Sequence, residues 1–380
     1  MSNKARRRVE AVRVCLSMIL IGAGVSIVFT TSYSQSMNTS VGKWRTLDSQ
    51  PPIVIAHRGA SGYRPEHTLA SYRLAIEFGA DFIEPDLVAT RDGHLIARHE
   101  PVLDDTTNVK QHPEFADRRT TRTLDGKSVT AFFASDFTLA EIKQLRAIQP
   151  NPARSRQYDG KFEIPTFEEI LELVRKESAN RHRAIGVYPE TKHPAYHLGL
   201  GLPLEERMLE TLRKFGLDRE GAPVFIQSFE SANLQYLRSR TSLPLVQLMD
   251  DGALTYDESG VRVTGVSIPQ HGDPRGGTPP HTLADIAKYA SAIGPWKRQI
   301  LRDLQKSSLL QTSVIEQAHA AGLRVHTYTF RSEPATLAPQ YANDPLLEYR
   351  QFFELGIDGV FSDFPDVALK TREEHHKKEQ

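Results

Sequence analysis

The sequence reads as a closed eight-stranded parallel α/β barrel, a TIM (β/α)8 barrel carrying an insertion after its third strand. Three observations predict it. Short apolar runs alternate with amphipathic helical stretches, the signature of a parallel sheet. About eight such runs follow one another between Ile53 and Ser362, the number this barrel needs. The runs also end in polar residues, as expected where strand ends converge on a catalytic rim.

The chain has 380 residues, 39% hydrophobic and 25% charged. That suits one large globular domain with a sizeable core. Lys+Arg and Asp+Glu both number 47, for a formal net charge of zero. This argues against a nucleic-acid binder that relies on bulk basicity, and leaves a local phosphate site open. The single cysteine, Cys15, excludes an intrachain disulfide and a cysteine-built metal cage.

Residues 1–36 are read as a signal peptide or N-terminal anchor. Lys4, Arg6, Arg7 and Arg8 precede an apolar run from Leu16 to Phe29, which exits into Thr30, Thr31 and Ser32. The run is shorter than the roughly 20 residues a spanning helix prefers. No A-x-A cleavage site is visible, so an uncleaved anchor is the second reading. The protein is expected to be exported, periplasmic or extracellular, with membrane contact only through this segment. Residues 37–50 are expected to be a linker.

The elements then come in order. Pro52–Ala56 reads as a buried strand. Pro65–Phe78 reads as a helix with a stripe of Leu69, Tyr72, Ala75 and Ile76, closed by Gly79. Asp81–Val88 is the second strand. Arg91–His94 turns the chain into Leu95–His99, the third. Pro165–Lys176 and Leu204–Phe215 read as helices, and Ala184–Glu190 as the fourth strand. Pro223–Phe229, Pro244–Met249, Arg324–Thr329 and Gly359–Ser362 complete the strands, with a helix at Val314–Ala321. Two stretches, about 101–164 and 250–280, are too long for ordinary connections and read as insertions on a barrel spanning 51–370. Residues 371–380 read as a disordered tail.

The chemistry sits at the strand ends. His57-Arg58-Gly59 closes the first, Glu84 and Asp86 lie in the second, His99 closes the third, and Glu190 and Lys192 close the fourth. Glu84 and Asp86 are two apart, so in a strand they share a face. Two carboxylates there repel unless a cation or shared proton offsets them. With Glu190 they make three hard oxygen donors, which suit Ca²⁺ or Mg²⁺ better than Zn²⁺. Salt bridges would explain one such carboxylate, but not three on neighbouring strand ends beside two histidines. His57 and His99 are the natural acid/base pair. Arg58 and Lys192 suit a phosphate anion. These parts describe metal-assisted cleavage of a phosphate ester.

The motifs carry a resemblance. His57-Arg58-Gly59-Ala60, Pro65-Glu66-His67-Thr68, Glu84-x-Asp86-Leu87, His99, Glu190-x-Lys192, Ile226-Gln227-Ser228-Phe229, His326-Thr-Tyr328-Thr329 and Gly359-Val-Phe-Ser-Asp363-Phe-Pro365 resemble the glycerophosphodiester phosphodiesterases, in family order. The stretch from His57 to Thr68 is similar to the periplasmic GlpQ-type branch. The resemblance implies hydrolysis of glycerophosphodiesters to sn-glycerol 3-phosphate and an alcohol. It implies catalysis by His57 and His99, a divalent cation (Ca²⁺ first, Mg²⁺ second) on Glu84, Asp86 and Glu190, and phosphate contacts from Arg58 and Lys192. It also implies that Phe229 and Tyr328 line a glycerol pocket. The chain departs from the family at Tyr328, where Trp is common, and at Glu100 and Asp105. Rival readings are a lysophospholipase D-like enzyme or a polyglycerophosphate hydrolase on the same fold, and a non-catalytic glycerophosphate-binding protein. The histidine pair speaks against the last, since binding alone needs no acid/base partners.

Overall fold

The structure is a computed structural model that describes residues 44–257, 260–264, 277–303 and 309–379. The signal or anchor segment 1–36 lies outside the described residues. No helix among the described residues is long and apolar enough to cross a membrane.

One sheet contains β1 (Ile53–His57), β2 (Phe82–Glu84), β3 (Asp86–Ala89), β4 (Leu95–Ala97), β5 (Gly186–Val187) and β6 (Glu190–Thr191). It continues with β7 (Ile226–Ser228), β8 (Leu245–Met249), β9 (Ala292–Pro295), β10 (Arg324–Phe330) and β11 (Gly359–Ser362). Pro85 separates β2 from β3, and Tyr188-Pro189 separates β5 from β6, because proline has no N–H for the ladder. Pairing nevertheless runs across both breaks. β2 pairs with β5 and β3 with β6, both parallel. Tyr188 N–H donates to Ile83 O at 2.9 Å and Glu190 N–H to Pro85 O at 2.9 Å. Residues 82–89 and 186–191 are thus two interrupted strands. With them the ring runs in chain order and closes where β11 pairs with β1.

β4 stands outside this ring, antiparallel to β3. The third strand expected from the sequence is therefore a hairpin arm, and β9 supplies the missing ring strand. Periodicity does not reveal β9, since four residues including Gly294 and Pro295 carry little strand signal. The insertion at 101–164 follows the hairpin arm. It has a small core of its own, in which Leu103, Phe115, Phe132 and Phe137 pack on Val88 and Ile96.

Side-chain alternation divides the ring residues between two cores. Val54, Ile83, Val187, Ile226 and Val360 face outward into the layer shared with the helices. Ile55, Phe82, Tyr188, Phe225, Val246 and Phe361 fill the barrel interior. The barrel is a packed core rather than a pore.

Three local expectations change. The helix Leu69–Phe78 starts at Thr68, whose side chain caps it by accepting from Ser71 N–H, so Pro65–His67 is a turn. Residues 44–50 are not a free linker: Trp44 is buried edge-on against Phe353, and Leu47 N–H donates to Asp358 Oδ1 at 2.7 Å. Nor is the described part of the expected tail 371–380, residues 371–379, disordered. The helix Pro365–Glu379 runs through it, and His375 is buried against Trp44 with ring centres 4.7 Å apart. These contacts join opposite ends of the chain, so local composition does not report them.

Candidate active site

Five of the ring's strands continue past an interior core residue into polar groups. His57 follows Ile55 by two, Glu84 follows Phe82, Glu190 and Lys192 follow Tyr188, Gln227 follows Phe225, and Asp363 follows Phe361. Since alternate residues share a face, these groups stand above the apolar interior on the same side. Register sets them abreast: His57 pairs with Glu84, Asp86 with Glu190, and Glu190 with Gln227. Of those polar groups, all but Asp363, which lines a neighbouring pocket with Arg154, border a cavity of about 410 Å³ lined in part by His57, Arg58, Glu84, His99, Glu190, Lys192, Phe229 and Tyr328. Asp86 is the one expected site residue not lining it; it is 1% exposed, behind Arg58.

Ligand oxygens of Glu84, Asp86 and Glu190 lie within 4.8 Å of one another, and all three residues are buried. Glu84 Oε2 accepts from Arg58 N–H at 2.7 Å and Oε1 from Gln227 at 3.1 Å. Glu190 Oε1 pairs with Lys192 Nζ at 3.0 Å. Asp86 Oδ2 meets His67 Nε2 at 2.9 Å, while Oδ1 is buried without a hydrogen-bond partner among the described residues. Burial, reinforced by Asp86, raises the Glu84 carboxyl well above its ordinary range. Burial also raises Glu190, with Asp86 adding to the rise and Lys192 opposing it. Burial pushes Asp86 the same way, but His67 and Lys192 outweigh it and hold Asp86 ionised. Crowded, buried hard-oxygen donors with one orphaned oxygen fit a hard divalent cation.

Both histidines are oriented by carboxylates. His57 Nδ1 donates to Asp363 Oδ1 at 2.6 Å, and His99 Nδ1 to Glu100 Oε1 at 3.0 Å. In each ring Nε2 is then the unprotonated nitrogen; that of His99 accepts from Lys192 Nζ at 3.4 Å. Burial and the Arg58 charge lower the His57 pKa, against the pull of Asp363. Burial, Arg58 and Lys192 lower His99 to about 4. Arg58 is itself held by Glu66, Nη1 to Oε2 at 3.0 Å, and by Asp86 at 3.5 Å. Lys192 Nζ sits 5.5 Å from the centre of the Phe229 ring, which meets Tyr328 edge-on. The Tyr328 hydroxyl donates to Met249 O at 3.0 Å.

Four contributors received no role from the sequence. Asp363 orients His57, and the alternation from Phe361 is the signal that points to it. His67 orients Asp86; its Nδ1 accepts from the Tyr72 hydroxyl at 2.8 Å, which fixes the tautomer. Gln227 steadies Glu84. Arg98 is fully buried and donates to the carbonyls of Ala97, Thr106, Glu66 and His67, fastening the turn that carries His67 to the hairpin.

Known proteins resemble this chain over most of its length. The Glycerophosphoryl diester phosphodiesterase family matches residues 57–367. A glycerophosphodiester phosphodiesterase of Arabidopsis thaliana is 37% identical over 84% of this chain and 86% of its own length. One from Haemophilus influenzae is 29% identical over 93% of this chain and 97% of its own. Among solved structures, a glycerophosphoryl diester phosphodiesterase from Silicibacter pomeroyi has a TM-score of 0.59 at 20% identity, covering 88% of this chain and 98% of its own. A phosphodiesterase from Oleispira antarctica, solved with the product sn-glycerol-3-phosphate, has a TM-score of 0.53 at 21% identity, over 86% and 99%. At these identities the two structures support the barrel fold.

Proposed function

The chain belongs to the glycerophosphoryl diester phosphodiesterase family and is an enzyme of that class, a phosphoric diester hydrolase; from that premise we propose that it cleaves glycerophosphodiesters to sn-glycerol 3-phosphate and an alcohol by divalent-metal-assisted histidine acid/base chemistry. The observation that carries this reading is that two carboxylate-oriented imidazoles, His57 and His99, line one cavity with Glu84 and Glu190.

Glu84, Asp86 and Glu190 would hold Ca²⁺, or failing that Mg²⁺. When bound, the cation supplies positive charge where negative charge grows on the phosphate oxygens. Arg58 and Lys192 keep donors to spare beyond their carboxylate partners and bind the phosphate anion. Phe229 and Tyr328 give the glycerol carbons an apolar wall, with the Lys192 charge over the Phe229 face. Asp363 and Glu100 accept the Nδ1 protons, so each ring works through Nε2. One ring removes a proton from the nucleophile and the other protonates the leaving alcohol. The incoming phosphate offsets the Arg58 and Lys192 charges that disfavour imidazolium at His99.

The basic, apolar and small-polar order of residues 1–36 supports export to the periplasm or beyond, with the segment cleaved or kept as an anchor. The testing experiment assays the purified full chain on glycerophosphocholine, glycerophosphoethanolamine and lysophosphatidylcholine, with Ca²⁺, with Mg²⁺ and with chelator. Release of sn-glycerol 3-phosphate from the first two, dependent on cation, is expected. No turnover with either cation, or turnover confined to lysophosphatidylcholine, rejects the reading.

A further inference from the structure

We propose that the insertion at 101–164 is a positioning device for both catalytic histidines: Arg154 acts through Asp363 on His57, and Asp125 acts through His193 and Glu100 on His99. The inference rests on the proton-transfer roles assigned above to the two histidines.

The insertion touches the site from two sides. Near its C-terminal end, Arg154 places Nη2 2.5 Å from Asp363 Oδ2 and Nε 2.5 Å from Glu333 Oε1. Its Nη1 donates to Ser61 O at 3.2 Å, and its side chain is 8% exposed. The oxygen it takes, Oδ2, is the one His57 leaves free, since His57 uses Oδ1. Arg331 Nε adds a second cation at 3.0 Å from the same Oδ2. Asp363 is thus held from behind and presents one oxygen to the imidazole. A planar guanidinium suits this task because its donors lie in a fixed fork.

At the other side, the hairpin Thr120–Leu124 and Lys127–Ala131 ends in the turn Asp125-Gly126, both at positive φ. Asp125 Oδ1 lies 3.2 Å from His193 Nδ1, and His193 Nε2 lies 2.8 Å from Glu100 Oε2. The remaining oxygen, Glu100 Oε1, meets His99 Nδ1 at 3.0 Å. An imidazole between two carboxylates donates from both nitrogens, which is the cationic form. Burial opposes that charge, but Asp125 and Glu100 outweigh it and raise His193 to about 9. Glu100 has one more rotatable bond than aspartate and a half-exposed carboxylate. It needs such an anchor to hold one rotamer. The two chains have the same logic: a carboxylate with one oxygen on the catalytic ring and the other on a cation. The insertion supplies Arg154 to one and secures His193 in the other.

The test measures kcat and KM on glycerophosphocholine at saturating Ca²⁺ for wild type, Arg154→Ala, His193→Ala and His193→Gln. The alanine variants should lose roughly 10- to 100-fold in kcat, the usual scale for partners that orient a site residue, with KM moving far less. His193→Gln keeps an N–H near the Nε2 position and should recover most of the loss. In a His99→Ala background His193→Ala should cost nothing further, whereas in a His57→Ala background it should keep its full effect. Unchanged kcat in both alanine variants, or an undiminished His193→Ala loss without His99, overturns the proposal. Imidazole ¹⁵N shifts of the free full-length enzyme separate this from the catalytic reading, because they need no turnover. His99 should hold a single Nδ1–H tautomer in wild type and His193→Gln, and a mixture in His193→Ala. A mixture already present in wild type overturns the positioning role whether or not the enzyme turns over.

Discussion

His57 and Asp363 stand 306 positions apart in the chain, yet Nδ1 of one meets Oδ1 of the other at 2.6 Å. Barrel closure makes this pair, since β11 lies beside β1 and alternation turns both residues inward. Asp363→Asn should lower kcat by on the order of 10²–10⁴, the contribution of a correctly presented proton-transfer group, while KM changes less. The amide offers a donor where the ring needs an acceptor, which favours the wrong tautomer. Steady-state kinetics decide; a kcat near wild type would leave the dyad without a catalytic part.

His57→Ala and His99→Ala should each lower kcat by about 10²–10⁴ on glycerophosphodiesters. A p-nitrophenyl phosphodiester has a leaving group that needs no proton. Only the variant lacking the general acid should be partly rescued on it, which assigns the two roles. Equal rescue of both, or of neither, contradicts a divided acid/base pair.

Removal of divalent metal should abolish turnover, and Ca²⁺ or Mg²⁺ should restore it. Glu84→Gln and Asp86→Asn should weaken cation affinity, read by titration calorimetry, with far-UV circular dichroism unchanged. Full activity in excess chelator, after metal analysis shows an empty protein, would falsify the metal assignment.

Arg98→Met should destabilise the fold by about 3 kcal/mol or more, because four carbonyls lose charge-assisted donors in a buried place. The turn carrying Glu66 and His67 should loosen with it, so cation affinity should fall as well. Chemical denaturation and calcium titration of the same variant check both effects. A variant as stable as wild type would mean water replaces the guanidinium at no cost.

His193 gives stability a pH dependence of known sign. Its folded pKa, about 9, lies above the ordinary imidazole value of 6.5. The folded state therefore holds the proton more tightly. The stabilisation is fully present below about 6.5 and is lost as pH rises through about 9. A shift of that size corresponds to at most on the order of 3 kcal/mol. Melting temperature followed from pH 6 to pH 10 should fall more in wild type than in His193→Gln. Parallel curves would show that the ring titrates without coupling to folding.

The barrel class, the acidic cluster, the two histidines, and the cationic Arg58 and Lys192 beside them are legible in the sequence alone. Those features are local: strand–helix alternation, a period of two, and polar residues where apolar runs stop. They survive even though Pro85 breaks the second strand, because inner positions keep their face across the interruption. Which groups stand behind them follows from the tertiary structure. It replaced the hairpin arm Leu95–Ala97 with Ala292–Pro295 in the ring, set Asp363 behind His57 and His67 behind Asp86, and packed His375 on Trp44. It also brought Arg154 and Asp125 from one insertion to opposite sides of the site. A period tells which face a side chain takes, but its neighbour across space depends on ring closure and on how a long insertion folds back, and neither leaves a local trace in the chain.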